Sequence, residues 1–141
     1  MNINILPGVD SAASALQAEK VRMEVISQNI ANANTTRTSK GGPYQRQIVR
    51  FETIMANQFD PYSAKAEVRV AGIETDNRPF KIMHQPGHPD ADADGMVRYP
   101  NVNVHEEMAD LIASSRAMEA NLSIIRTARQ MAMQTLAIGK N

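Results

Sequence analysis

The chain is organised around residues 103–138, whose sequence is NVHEEMADLIASSRAMEANLSIIRTARQMAMQTLAI. Pro100 precedes this stretch, and Asn103 with Glu106 three residues later forms a capping-box pattern at its start. Gly139 stands where a helix would end, and neither Pro nor Gly occurs in between. About 35 residues at about 1.5 Å each give a helix roughly 50 Å long, much longer than the three turns usual in a compact domain. The sequence therefore predicts one long C-terminal helix.

Apolar side chains recur along this helix at alternating spacings of three and four residues, which is the pattern of a coiled-coil seam. This first line consists of Val104, Met108, Leu111, Met118, Leu122, Ile125, Ala132 and Leu136, and Ser115 and Arg129 interrupt it. A second line on another face consists of Ala113, Ala117, Ala120, Ile124, Ala128, Met131 and Ile138. Because a helix with a single partner needs only one apolar stripe, two stripes predict several neighbours.

A second helix is predicted near the N-terminus, with Asp10 as its N-cap and an end near Ala33. Its seam residues are Val9, Ala12, Leu16, Met23, Ile26, Ile30 and Ala33, with Glu19 as the one polar residue on the seam. Two seam-patterned helices pair most simply with each other, which would bring the two ends of the chain together. We expect residues 1–8, which have no apolar period and end in Pro7-Gly8, to be loose.

The middle of the chain changes to a strand-like pattern after the loop that ends in Gly41-Gly42-Pro43. Short strands are predicted near residues 48–54, 68–73, 80–83 and 96–99, separated by Gly and Pro. The predicted fold is α+β, with long N- and C-terminal helices forming a coiled-coil-like helical domain and a small β-rich insert between them. The predicted division is a loose N-terminus (1–8), an N-terminal helix (9–35), a loop and insert (36–103) and a C-terminal helix (104–141).

The composition excludes several classes of function. Fifteen basic and fifteen acidic residues balance, so no charge excess points to nucleic acid or to an acidic membrane surface. Cysteine is absent, which excludes disulfides and thiolate metal sites. No apolar stretch is long enough for a membrane span, and the first residues do not have the pattern of a Sec signal peptide.

Residues 84–95 contain two His and three Asp side chains of the types that bind metals. Asp90, Asp92, Asp94 and Gly95 match the opening of a calcium-binding EF-hand loop, but the twelfth position is Asn101 where the loop needs Glu. A solvated turn rich in Asp and Gly is the simpler interpretation. Pro86-Gly87 breaks any helix that would place His84 and His88 together on one face for zinc. The sequence also contains no nucleophile elbow and no phosphate-binding loop, so it predicts no catalytic, cofactor-binding or metal-ligating residue.

Asparagines concentrate where the first helix should end, in the segment Asn29-Ile30-Ala31-Asn32-Ala33-Asn34-Thr35. Asn suits a helix end because it tolerates a left-handed backbone conformation, so one interpretation is a polar C-cap. The other is that the Asn amides, which donate and accept hydrogen bonds, bridge backbone groups of neighbouring helices or subunits. The spacing alone leaves both interpretations open.

Two helical termini, this Asn-rich signature and a β-rich insert resemble the axial proteins of the bacterial flagellum, which are the rod, hook and hook-associated proteins. Gly41-Gly42-Pro43-Tyr44 and the segments 86–95 and 100–103 are similar to proximal rod members of that family. The resemblance covers nearly the whole chain and implies a structural subunit that assembles helically for motility, with no enzymatic activity and no cofactor. It also implies a location in the periplasm-spanning flagellar basal body.

The resemblance implies partners as well. They are further copies of the chain, the rod proteins FlgB and FlgF, FliE at the junction with the MS ring, and the flagellar type III export apparatus, with no nucleic acid, small-molecule substrate or membrane span. The implied subunit-contact signature is Asn29, Ile30, Ala31, Asn32, Asn34 and Thr35. The implied helix seam is Leu16, Met23, Ile26, Leu111, Met118, Leu122, Ile125 and Leu136. Alternative hypotheses are a small coiled-coil adaptor that forms a closed oligomer, and a metal-dependent hydrolase using His84, His88 and the Asp run.

Overall fold

The computed structural model describes residues 7–55 and 66–139, so residues 1–6 of the predicted loose N-terminus and the last two residues of the predicted C-terminal helix lie outside it. In chain order the elements are α1 (Pro7–Ala31), β1 (Gln47–Met55), β2 (Ala66–Thr75), β3 (Lys81–His84), β4 (Met96–Tyr99) and α2 (Val104–Ile138). The predicted α+β arrangement, with a helix toward each end of the chain and a small antiparallel insert between them, is confirmed. Each of the four predicted strands lies within two residues of its predicted position.

Helix α1 begins at Pro7, earlier than the predicted start at Asp10. The prediction took Pro7-Gly8 as a break, but Pro is favoured in the first turn of a helix, where its missing N–H has no intrahelical partner to lose. The helix ends at Ala31, and turn hydrogen bonds from the Asn32 and Ala33 amides to the Gln28 and Ile30 carbonyls continue the chain beyond it.

Helix α2 has the predicted N-cap, Asn103, whose side chain accepts a hydrogen bond from the His105 amide. The reciprocal half of the capping box differs, because Glu106 accepts from the Asn103 side-chain amide at 3.0 Å instead of from its backbone. At the other end, Gly139 is the predicted stop, and its amide donates to the Thr135 carbonyl.

The two helices pack against each other in an antiparallel pair, as the seam pattern predicts. Asn29 hydrogen-bonds Glu107, and Glu19 hydrogen-bonds Ser114, which sets the register. Counting about 12 residues back from Glu19 and forward from Ser114 places Pro7 level with about residue 126. Helix α2 therefore continues roughly 18 Å beyond the first described residue of α1.

The insert consists of two separate two-stranded antiparallel sheets, β1–β2 and β3–β4. In the first, Gln47 pairs with Thr75 and Met55 with Ala66, and the register shifts between Arg50 and Phe51. This hairpin lies along α1, where the Ser11 hydroxyl donates to the Ala66 carbonyl at 2.6 Å.

The core of the described residues is narrow and consists mainly of small side chains. Its buried apolar members are Ala12, Ala18, Val25, Ile26, Ala33, Val97, Val102 and Ala128. Small residues on α1 let the second helix and the hairpin approach it closely. This layout leaves much apolar surface of α2 uncovered.

Candidate functional site

The predicted seam residues divide into two groups in the structure. Ile26 is buried, and Leu16, Met23, Leu111, Met118 and Ile125 are half-buried. Leu122 and Leu136 are exposed, the latter by 74%, and Leu136 lies beyond the level of the first described residue of α1.

The face of α2 that α1 covers keeps the predicted alternating spacing, but polar residues occupy part of it. It runs through Glu107, Leu111, Ser114, Met118, Asn121, Ile125 and Ala128, all of them buried or half-buried. Ser114 donates to Glu19 Oε2 at 2.5 Å, so the one polar residue predicted on the α1 seam has a polar partner across the interface. The predicted line through Val104 and Met108, which are exposed, lies beside this covered face.

Two exposed apolar strips therefore flank the covered face of α2. The Met108 flank consists of Val104, Met108, Ile112, Leu122 and Met133. The Ile124 flank consists of Ala113, Ala120, Ile124, Met131 and Ile138, all from the second predicted line. At 3.6 residues per turn these flanks lie on opposite sides of the helix, with the polar strip His105, Arg116, Ser123, Thr127 and Gln134 between them.

A cluster of polar side chains joins α1, α2 and the insert where α1 ends and α2 begins. We call it the polar junction, and its members are Asn29, Tyr44, Arg46, Asp76, Asn101 and Glu107. Asn29 and Glu107 are 1% and 0% exposed, although neither is of an apolar type. Among the described residues, every buried side-chain nitrogen and oxygen has a hydrogen-bond partner.

Asn29 uses the whole hydrogen-bonding capacity of its carboxamide. Its Nδ2 donates to the Gln47 carbonyl and to Glu107 Oε2, both at 2.9 Å. Its Oδ1 accepts from the Gln47 amide and from the Tyr44 hydroxyl, again at 2.9 Å. Two N–H groups and two lone pairs are all that such a group offers. Because it pairs with both backbone groups of Gln47, Asn29 acts as a neighbouring strand would and fixes where β1 begins.

Arg46 is the cation that balances the buried Glu107. Its Nε lies 2.6 Å from Glu107 Oε1, and its Nη1 lies 3.2 Å from Asp76 Oδ2. Burial lowers the pKa of the guanidinium, but the hydrogen bond and charge of Glu107 together with the hydrogen bond to Asp76 outweigh burial, so the pKa of Arg46 lies above its usual value. Burial and then the Glu107 charge raise the pKa of the Tyr44 hydroxyl. Both groups therefore keep their protons and go on donating to the junction near neutral pH.

Asp76 and Asn101 connect the junction to the rest of the insert. Asn101 Oδ1 accepts from the Arg46 amide at 2.8 Å, and its Nδ2 donates to the Asp76 carbonyl at 2.9 Å. Asp76 accepts from the backbone and the guanidinium of Arg78. The Arg78 backbone N–H contributes most to a pKa of the Asp76 carboxyl below its usual value, and the Arg78 and Arg46 side chains add to it.

The other signature residues are not part of the polar junction. Asn32 donates to the Gln28 carbonyl at 2.9 Å and accepts from the Thr35 hydroxyl at 3.2 Å, so it closes the helix end. Ile30 is half-buried, whereas Ala31 and Asn34 are exposed. The two open interpretations thus apply to different residues, since Asn32 caps and Asn29 bridges, and the bridge lies within one chain.

The Asp-rich turn supports the loop before β4. Asp92 Oδ1 accepts from the Asp94 and Met96 amides at 3.0 and 2.8 Å, and Asp90 accepts from the Thr36 hydroxyl at 2.7 Å. Gly95 has a φ of +72°, which favours glycine. The Asp92 carboxylate is engaged within the turn and the Asp90 carboxylate with a residue outside it. The described part of the chain contains no group of three or more His, Cys, Asp or Glu side chains arranged to hold a metal ion.

Sequence reasoning missed Glu107, Arg46 and Tyr44. The available signal was that Glu107 lies four residues before Leu111 and seven before Ser114, which is the spacing of the covered face. A charged residue at such a position is rare unless it is paired, and its partners lie far away in the sequence.

No helix of the described residues combines the length and apolar character that crossing a membrane requires.

Comparison with known proteins gives matches at both ends of the chain. Residues 10–37 match a family model described as flagella basal body rod protein, and residues 93–138 match one described as flagellar basal body rod FlgEFG protein C-terminal. These matches cover most of α1 with the Asn-rich signature, and β4 with α2.

Relatives match over nearly the full length. The flagellar basal-body rod protein FlgC of Borreliella burgdorferi is 40% identical, with 96% of this chain and 98% of the relative covered. The FlgC proteins of Bacillus subtilis and Yersinia enterocolitica are 38% and 37% identical, with 92% and 98% of this chain and 94% and 100% of those relatives covered. The chain therefore belongs to the FlgC family of flagellar basal-body rod proteins, as a structural subunit of the rod and not an enzyme.

Proposed function

We propose that this rod subunit assembles helically in the proximal part of the rod, with α1 and α2 forming coiled-coil-like contacts between subunits. The observation that carries the proposal is the pair of exposed apolar flanks on α2. Exposed apolar side chains that line up along one element mark an interaction site. Since the flanks lie on opposite sides of one helix, each flank can pack against a different neighbouring subunit.

Such a contact is heterologous, because one flank of a subunit meets a different surface on the next. Heterologous contacts that do not close into a ring build an open helical assembly. The family membership supports this geometry over the closed oligomer of the adaptor hypothesis. The family membership also favours a rod subunit over the metal-dependent hydrolase.

The proposal divides the chain by role. Residues 9–35 and 104–141 form the rod-core helical domain, and residues 36–103 form an insert that the polar junction fixes to it. Of the signature residues, Ala31 and Asn34 are exposed and suit a subunit contact, whereas the Asn29 side chain is used within the chain. The proposed partners are FlgB and FlgF along the rod, FliE at its base, and the type III export apparatus.

The test places one negative charge on each flank and one between them. Leu122→Asp and Ile124→Asp should each abolish rod assembly and motility, because an unpaired carboxylate would face an apolar neighbour. Ser123→Asp is the matched control, since it adds the same charge on the adjacent, exposed polar strip. Motility assays and isolation of basal bodies measure the outcome, and normal rods in both flank variants would contradict the proposal.

A further inference from the structure

The easily oxidised groups of this sequence belong to one residue type. The chain contains nine methionines and neither cysteine nor tryptophan. Peroxides convert a methionine thioether to its sulfoxide, and in a chain without thiols no more reactive sulfur competes for the oxidant. The positions of the methionines therefore decide which surface of the subunit an oxidant changes.

Among the described residues five methionines are exposed, and three of these lie on the two flanks of α2. Met108 and Met133, which are 53% and 61% exposed, belong to the Met108 flank, and Met131, which is 53% exposed, belongs to the Ile124 flank. Met23 of α1 and Met118 on the covered face of α2 are only half-buried but less accessible than these three. In the free subunit a peroxide therefore reaches the flank thioethers most easily.

Oxidation changes the polarity of such a side chain without cleaving the backbone. The sulfur lone pair attacks one oxygen of hydrogen peroxide, so that an S–O bond forms and the O–O bond breaks. The leaving hydroxide takes the proton from the sulfur-bound oxygen and becomes water. The sulfur is oxidised by two electrons and the peroxide is reduced by two. The product carries a polar sulfoxide oxygen where the thioether was apolar.

A sulfoxide on a flank conflicts with the contact that the flank is proposed to make. The aliphatic neighbours on the flanks, among them Ile112, Leu122 and Ile124, offer no N–H or O–H to the new oxygen. A polar group that is buried without a partner weakens a contact by about fivefold or more. Oxidised flanks should therefore pack poorly against a neighbouring subunit.

We infer that Met108, Met131 and Met133 are oxidation sites whose conversion to sulfoxides prevents the free subunit from entering the rod. The inference rests on the proposed flank contacts and adds a condition under which they form. In an assembled rod the neighbours that cover the flanks also shield these thioethers. The rod should therefore resist the peroxide that disables the free subunit.

Peroxide footprinting tests the accessibility of the flank methionines. The purified chain and isolated basal bodies are each treated with hydrogen peroxide, and peptide mass spectrometry gives the rate of sulfoxide formation at each methionine. In the free chain the three flank methionines should react several times faster than Met118, and equal rates there would overturn the inference. In basal bodies their rates should fall to that of Met118 or below. Flank rates that are the same in both samples would contradict the proposed flank contacts themselves.

Matched double substitutions test the effect on assembly. Gln stands in for the sulfoxide because it is polar, uncharged and unbranched, and Gln and Leu are both good helix formers. Met131→Gln with Met133→Gln should lower the share of the chain that enters rods by about fivefold or more, whereas Met131→Leu with Met133→Leu should leave it unchanged. The control is Met55→Gln with Met83→Gln in the insert, where the side chains are 60% and 49% exposed. This control should enter rods normally, and an equal loss there would overturn the inference.

Growth with hydrogen peroxide tests the oxidation itself. Cells with the unchanged chain should build fewer new rods, and adding Met108→Leu to the two flank Leu substitutions should largely prevent that loss. Equal losses with the two chains would overturn the inference, as would flank Gln substitutions that enter rods as well as the Leu substitutions do. If Leu122→Asp and Ile124→Asp still block assembly in that case, the flank contacts stand and only the oxidation inference falls.

Discussion

The two ends of the helix pair are built in opposite ways. Where α1 ends and α2 begins, the contacts are polar and buried, and Glu107 is 0% exposed. Toward the other end, α2 carries apolar side chains in water, and Leu136 is 74% exposed. A single helix thus contains both the least accessible carboxylate and some of the most accessible aliphatic side chains among the described residues.

The difference separates two physical tasks. Buried polar groups are costly unless every partner is present with good geometry, so a satisfied network admits one arrangement of α1, α2 and the insert. Apolar attraction has no direction and depends on area, so it tolerates the varied contacts of a subunit among neighbours. The junction sets the shape of the subunit, and the distal end supplies the exposed apolar surface that the proposed contacts between subunits require.

The largest expected effect is that of Glu107→Ala. The change leaves the Arg46 guanidinium without its closest carboxylate and removes the acceptor of an Asn29 N–H. Breaking a buried pair in this way should lower the free energy of unfolding by about 3–5 kcal/mol. Urea unfolding followed by circular dichroism measures the loss. Glu119→Ala, an exposed glutamate on the same helix, is the control, and similar losses in both variants would show that the junction is not special.

A smaller but still large effect is expected for Asn29→Asp, which keeps the shape of the side chain. It replaces the Nδ2 donor with an oxygen that faces Glu107 Oε2 and the Gln47 carbonyl, so two hydrogen bonds become repulsions. An unsatisfied buried group costs about 1–3 kcal/mol, and we expect the upper part of that range. Asn34→Asp, exposed and in the same signature, should change the unfolding free energy by less than about 0.5 kcal/mol. Equal stability of the two variants would contradict the bridging role of Asn29.

The junction should also make stability depend on pH. The pKa of Asp76 is lowered in the folded state, so the unfolded chain binds more protons, and the contribution of Asp76 is lost as pH falls through and below about 4. Asp76→Asn should therefore be less stable than the unchanged chain at pH 7, and the gap should narrow as the solution is acidified. Unfolding curves at pH 7, 5, 4 and 3 measure the gap, and a constant difference would argue against the linkage.

The smallest effect on stability is expected at the distal end. Leu136→Asp should shift the unfolding free energy of the free subunit by less than about 0.5 kcal/mol, because the side chain already lies in water. The same change should nevertheless stop rod assembly. Ile26→Asp, which places the charge where the side chain is only 5% exposed, should instead destabilise the subunit itself. If Leu136→Asp unfolds the subunit, the comparison between the two ends fails.

Local sequence signals were sufficient for much of the fold. The caps at Asn103 and Gly139, the absence of Pro and Gly between them and the change to strand-like segments each depend on neighbouring residues, and the structure agrees with them. The start of α1 at Pro7 was missed because Pro fits both a break and a first turn.

The site was less predictable because its partners are remote. Glu107 meets Arg46 across 61 sequence positions and Asn29 across 78, so no spacing rule connects them. The apolar spacing predicted Leu122 on the seam, but Leu122 is exposed in the structure. Ser114 is buried on the covered face, where its hydroxyl donates a hydrogen bond to Glu19. Which apolar residues a helix buries depends on what the partner presents, and that is a property of the folded pair.

The bond between Asn29 and Glu107 has a consequence for the order in which the chain becomes available for folding. Closing a loop of 78 residues costs on the order of 4 kcal/mol of chain entropy before any contact repays it. When the chain is made available from its N-terminal end, Asn29 appears early. The Glu107 carboxylate, which completes the hydrogen bonds of Asn29, appears only after about three quarters of the sequence. The polar junction can therefore form only when the chain includes the start of α2. A chain that is cut short before α2 contains Asn29 but lacks the Glu107 carboxylate that Asn29 binds.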